Sequence, residues 1–358
     1  MAVLGLFGTV ALAVATVCVT AGCSTLGYYA QSVGGHLDLL GSAKPVPNWI
    51  AEGQTPAALK ERLALSQRIR DFAVAELKLP DNASYRRYAD LNRRAAVWNV
   101  VAAPELSLTL KTWCFPVVGC VGYRGYFDLA EAEAFADGQR AQTGLEVSVY
   151  AVPAYSTLGA LPGRFFADPL LSTFIHYPEG ELARLVFHEL SHQVVYAKGD
   201  TEFNESFATA VERIGVMRWL NERATPETRA EYDLFEDRRR EFRTLTRKYR
   251  ERLEALYESD ASDDDKRREK AETMAEMRAE YAAIKATRWG GFSGYDAWFA
   301  RANNASFGVL AAYTELAPAF ERLFEREGRD FDRFYAAVKR LAEMPKNERR
   351  AALGPTGD

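Results

Sequence analysis

Histidine and cysteine are both scarce in this chain, at four residues each among 358. Charge of one sign does not accumulate either. The 45 Lys and Arg stand against 49 Asp and Glu, a formal net charge of −4. That balance excludes a general nucleic-acid binder, whose footprint is a basic excess. Solenoid-length repeats and low-complexity tracts are missing, and residues 1–37 contain no Asp, Glu, Lys or Arg. What is present is ordinary for a globular chain: 48% hydrophobic and 26% charged residues, which excludes disordered, collagen-like and multi-span membrane classes. The length suits one large domain or two smaller ones.

The uncharged run Ala2–Ala21 is built mainly from Ala, Val, Leu, Gly and Thr, only mildly apolar for a bilayer span. It closes on Thr20-Ala21-Gly22-Cys23, which resembles the lipobox of bacterial lipoproteins. The resemblance implies a signal peptide over 1–22, a lipidated Cys23 and a tether over 23–54. The chain would then sit in the bacterial envelope, on the periplasmic side, with the outer membrane as the expected anchor site. An uncleaved anchor helix and a buried helix are the other readings of the run. With Cys18 removed and Cys23 acylated, Cys114 and Cys120 remain as an even pair, with Pro116 and Gly119 between them to turn the chain. An oxidising compartment favours a disulfide there, and two buried free thiols are the alternative. No further Cys or nearby His completes a zinc set around this pair.

Residues 55–178 read as an N-terminal α+β region. A helix opens at Thr55-Pro56 and carries Leu59, Leu63, Ile69, Phe72 and Leu77 before Pro80. Short strands are expected over 97–127, a helix near 128–142, and strands near Leu145–Val152 and Ser172–Tyr177. Helices over 180–198 and 202–222 dominate the segment 179–225. The texture changes after Pro226. Phe235, Phe242, Leu245, Tyr249, Leu253 and Leu256, then Met274, Met277, Tyr281 and Ile284, recur at helical spacing in a densely charged background. That pattern predicts a protruding helical hairpin over 226–288 with one narrow apolar seam. It reads as a solvated arm, or as a lid or docking arm for a protein partner. Residues 289–358 read as a C-terminal helical region, with helices near 304–327 and 330–342.

The chemistry is concentrated in His188-Glu189-Leu190-Ser191-His192, an HExxH sequence on an expected helix. Residues four apart lie one above the other, so His188 and His192 face one point and can hold one Zn²⁺. Glu189, one position round, can reach a water beside the metal without ligating it. The next helix begins Glu202-Phe203-Asn204-Glu205. Here the sequence resembles the gluzincin metallopeptidases, whose second helix carries an Asn-Glu pair. The resemblance implies Glu205 as third ligand, with Glu202 and Asp200 as competitors. Thr209 stands where thermolysin-like members have an Asp supporting the first His. Glu212, seven residues after Glu205, shares its face and could serve instead.

Tyr28-Tyr29-Ala30-Gln31, the turn Trp113–Cys120 and the block Gly163–Gly215 resemble the predicted aminopeptidase family of proteobacterial lipoproteins. The resemblance runs over nearly the whole mature chain and implies zinc-dependent hydrolysis of a peptide substrate. The fold expected is α+β and zincin-like, with a mixed sheet beside the HExxH helix. Tyr177, Tyr196 and Tyr313 are candidate donors to the oxyanion. By fold analogy, the strand Ser172–Tyr177, which carries His176, would pair with substrate. Glu179, Glu181 and Glu202 are available for an α-ammonium group, and Arg124 for a carboxylate. A reading from another class is a non-catalytic envelope scaffold with structural zinc and a partner-binding hairpin. A third is hydrolysis of another amide, such as a cell-wall peptide.

Overall fold

A computed structural model describes residues 27–115, 119–142, 144–154, 167–311 and 316–354. The expected signal peptide, Cys23 and Tyr313 lie outside these residues. In chain order, the N-terminal part comprises a helix over 27–42 (α1), β1 (Lys44–Pro45), α2 (Val46–Ala51), α3 (Ala57–Ala75), β2 (Arg87–Ala89) and β3 (Val97–Pro104). Next come β4 (Trp113–Phe115), β5 (Gly119–Val121), β6 (Arg124–Tyr126), α4 (Leu129–Arg140), β7 (Leu145–Val152) and β8 (Leu170–Leu171). All later elements are helices: α5 (Glu179–Ser191), α6 (Thr201–Arg223), α7 (Pro226–Glu258), α8 (Asp263–Thr287) and α9 (Asp296–Arg301). The last are α10 (Asn304–Ala311), α11 (Ala317–Arg326), α12 (Phe331–Glu343) and α13 (Lys346–Leu353).

The class is α+β, as expected, with the strands gathered in small sheets. Strand β3 sits between β6 and β7 in an antiparallel sheet. Successive residues of a strand face opposite sides. Val100 and Ala102 therefore pack with Ala132 and Ala136 of α4, while Val101 and Ala103 pack with Ala305 of α10. Cover on both faces is why β3 reads as a nearly unbroken apolar run. A mixed sheet also exists, in miniature: β2 pairs antiparallel with β1 and parallel with β8. Its Tyr88, Ala89, Leu170 and Leu171 share the central core with Leu182, Val186 and Leu190 of α5.

Several boundaries differ from the sequence expectations. Residues 172–177 form a turn, not a strand. Ile175 N–H donates to the Leu171 carbonyl at 3.0 Å, and Phe174 and Ile175 plug the core. His176 is exposed on that turn. The helix expected over 180–198 stops at Ser191, where the Ser191 hydroxyl bonds back to the Phe187 carbonyl at 2.6 Å. The helix expected over 304–327 is two helices, α10 and α11, and a further helix, α13, follows α12. Cys114 and Cys120 are disulfide-bonded opposite each other on β4 and β5, so the free-thiol alternative falls.

The hairpin forms from α7 and α8, and its seam takes the expected residues apart from Phe235 and Leu256, which are only partly buried. Phe242, Leu245, Tyr249 and Leu253 are buried against Met274, Met277, Tyr281 and Ile284. Its base is docked, however. Tyr232 lies against Gly180 of α5 so closely that an added Cβ would stand 2.5 Å from its ring. Trp289, Phe299 and Phe307 close the seam from the C-terminal region. Among the described residues, no helix is long and apolar enough to cross a membrane.

Candidate metal centre

Helix α5 begins after Pro178, with Glu179 and Glu181 in its first turn where acidic charge suits the helix dipole. Leu182, Ala183, Val186, Phe187 and Leu190 anchor its inner face in the core. This fixes His188 and His192 on one face at the end of the helix, with ring centroids 4.9 Å apart. Helix α6 returns alongside it. The turn between them contains Gly199 at φ +76°, a conformation that favours glycine. Asn204 clamps this turn: its Oδ1 accepts from Ala197 N–H at 2.7 Å and its Nδ2 donates to the Ala197 carbonyl at 2.9 Å. The Asn of the Asn-Glu pair thus fastens the second ligand helix to the turn that follows the first, and Glu205 arrives beside the histidines.

One ligand atom each from His188, His192 and Glu205 lies within 4.8 Å of the other two. His188 Nε2 is 3.3 Å from Glu205 Oε2, and His192 Nε2 is 3.7 Å from Glu205 Oε1. A tetrahedral zinc with bonds of about 2.1 Å separates its ligands by roughly 3.4 Å, so the set fits such an ion. The competing acids are committed elsewhere. Asp200 is buried against Arg349 at 2.6 Å and Arg350 at 2.8 Å, and Glu202 meets Arg350 at 2.9 Å. All of these contacts tie α6 to α13.

Glu212 takes the supporting place that Thr209 cannot. Its Oε2 lies 2.8 Å from His188 Nδ1, and its Oε1 accepts from Arg184 at 2.6 Å. An acceptor on Nδ1 leaves Nε2 turned toward the metal position. Burial pushes the Glu212 carboxyl up, but Arg184 and His188 outweigh it and hold it at about 2. Burial would lower His188, yet its bonds to Glu205 and Glu212 raise it well above the ordinary imidazole range. Burial and the charge of His188 lower His192 to about 4, leaving its ring neutral. His192 Nδ1 is buried without a hydrogen-bond partner among the described residues.

Glu189 is raised to about 7, chiefly by burial, with His188 opposing and Glu205 and Asp168 reinforcing. A carboxyl poised near neutrality suits proton transfer at physiological pH. Together with His188, it lines a cavity of about 700 Å³ between α5, α6 and α7.

The protein family described as "putative aminopeptidase" matches residues 27–353. The chain belongs to that family. No curated protein and no solved structure matches it significantly. The family name implies a hydrolase, and an aminopeptidase needs an acidic group for the substrate's α-ammonium. In this member Glu179 accepts from Trp219 Nε1 at 2.9 Å. Glu181 pairs with Arg239 and with Arg184, and Glu202 pairs with Arg350. None of the three lines the cavity beside His188. Arg124 stacks on the rings of Tyr28 and Phe135, at 3.9 and 4.5 Å, as a packing residue. Tyr177 stands near Glu181 and Arg184, toward the start of α5. Tyr196, half exposed, lies in the field of Glu205, which together with burial raises its phenol. Tyr123 and Tyr150 join it there; burial pushes Tyr123 up to about 12. These two come from β-strand segments far from HExxH in sequence, and no local motif marks them.

Proposed function

We propose that this protein is a zinc-dependent peptidase of the gluzincin kind, acting as an aminopeptidase at the bacterial envelope. The observation that carries the reading is the convergence of His188, His192 and Glu205, with Glu212 on Nδ1 of His188 and Glu189 facing the cavity alongside. Zinc, when bound there, would supply the Lewis acidity for hydrolysis of the peptide bond. His188, His192 and Glu205 hold the ion, and Glu212 fixes the orientation and tautomer of His188. Glu189 takes the proton of the attacking water and returns it to the leaving amine as the peptide bond breaks. Tyr196, Tyr123 and Tyr150 feel the charge of Glu205 and are the candidate donors to the developing oxyanion.

Three protein ligands, with His188 and Glu189 lining an accessible cavity, favour catalysis over a structural site, which four protein ligands usually close. The anchoring part rests on the lipobox-like Thr20–Cys23, through which a lipid on Cys23 would hold the enzyme to the membrane. Glu189→Gln tests the reading: we expect zinc retention with loss of peptide hydrolysis. Retained hydrolysis would overturn the assignment of Glu189.

A further inference from the structure

The cavity that reaches His188 and Glu189 has an unusual wall. Seven of its lining residues are arginines, against two carboxylates, Glu189 and Glu212, both already engaged in the site. Arg184 is held by Glu212 and Arg239 by Glu181, so these two are part of the scaffold. On α7, Arg239, Arg243, Arg247 and Arg250 recur at steps of four, four and three, one stripe of a helix. Arg213 of α6 joins them.

Their carboxylate neighbours lie behind them. Glu236 meets Arg243 at 2.7 Å and Glu321 meets Arg213 at 3.1 Å, and neither acid lines the cavity. Arg247 has a side chain 69% exposed, with Glu251 at 3.9 Å. A guanidinium presents five N–H donors, and one such pairing uses only one or two of them. Donors therefore remain on Arg213, Arg243 and Arg247, all three of which line the cavity. The floor between them is apolar, made by Leu185, Phe242, Phe307 and Leu310. Arg243 to Arg250 spans roughly 10 Å of helix, the length of about three extended peptide residues.

We propose that this cleft is a subsite for carboxylate groups of the substrate, so that acidic peptides are preferred, with Arg213, Arg243 and Arg247 as the recognising residues. The hairpin's first helix is thereby part of the substrate site. The identification of the ligand as a peptide rests on the peptidase reading. Planar bidentate pairing suits arginine to carboxylate better than lysine would, and the apolar floor accepts the side-chain stems between charges.

The test uses the full chain carrying Glu189→Gln, so that binding is read without turnover. A fluorescently labelled glutamate-containing peptide is compared with its glutamine counterpart, each with a free or amidated C-terminus. We expect the acidic peptide to bind at least about tenfold tighter, as a charge-assisted pair would give. Weakening on Glu→Gln exchange assigns the carboxylate to side chains, and weakening on amidation assigns it to the chain end. Arg243→Gln with Arg247→Gln should bring the acidic-to-neutral affinity ratio toward one. Arg247→Gln alone, at an exposed position, should lower the ratio with an unchanged unfolding midpoint. Equal affinity for all four peptides, or a preference that survives the double substitution in folded protein, would overturn the subsite. Failure of the wild-type chain to hydrolyse any peptide would instead overturn the peptidase reading and leave the binding result standing.

Discussion

Glu212→Gln separates metal support from metal ligation. Glu212 touches no metal position. Its two oxygens hold His188 Nδ1 at 2.8 Å and Arg184 at 2.6 Å, and its side chain is 6% exposed. An amide of the same shape has one oxygen and one NH₂, so it satisfies one of these two donors and opposes the other. Removing one member of a buried ion pair costs about 3–5 kcal/mol when the remaining charge has no other partner. Arg184 keeps Glu181 at 3.4 Å, so the lower end of that range, about 3 kcal/mol, is expected. Loss of an outer partner on a ligating histidine typically weakens metal affinity about 10–100-fold. The assay is zinc competition against a chromogenic chelator, with thermal unfolding of the zinc-free protein measured beside it. Zinc affinity within twofold of wild type would refute the support role. An unchanged unfolding midpoint would refute the ion-pair energetics.

Other outcomes follow from the same geometry. Asn204→Ala removes both side-chain bonds to Ala197 and strands a buried N–H and carbonyl. It should cost about 2–4 kcal/mol in denaturant unfolding and raise amide exchange in the turn after His192; unchanged exchange there would count against the clamp. Arg349→Ala leaves buried Asp200 with Arg350 and the more distant Lys346, and should destabilise by about 2–4 kcal/mol, with α13 gaining protease sensitivity. Gly180→Ala drives a methyl into the Tyr232 ring. It should cost about 1–3 kcal/mol and loosen the α5–α7 contact, read as faster exchange in the first turns of α7.

The metal centre was legible because its spacing is local. His188, Glu189 and His192 share one helix, and Glu205 and Glu212 share the next, so helical geometry alone sets their faces. The hairpin seam was legible for the same reason, through apolar residues at steps of three and four. Residues 172–177 misled because Phe174 and Ile175 are buried as a strand's would be, yet a hydrogen bond from Ile175 to Leu171 turns the chain. Nothing local tells that Asp200 and Glu202 are taken by arginines about 150 residues later. The arginine stripe on α7 reads as an ordinary solvated face. The packing of Tyr232 onto Gly180 and the Arg239–Glu181 ion pair hold α7 against α5, where that stripe lines the cleft. Tyr123 and Tyr150 come within the field of Glu205 through tertiary structure alone.

The most direct test of the central claim is zinc stoichiometry of the purified full chain under metal-replete conditions, beside Glu205→Ala. The account predicts close to one zinc per chain in the parent and loss or strong weakening in the variant. A parent that binds no zinc, or a variant that binds it as tightly as the parent, would contradict the three-ligand centre.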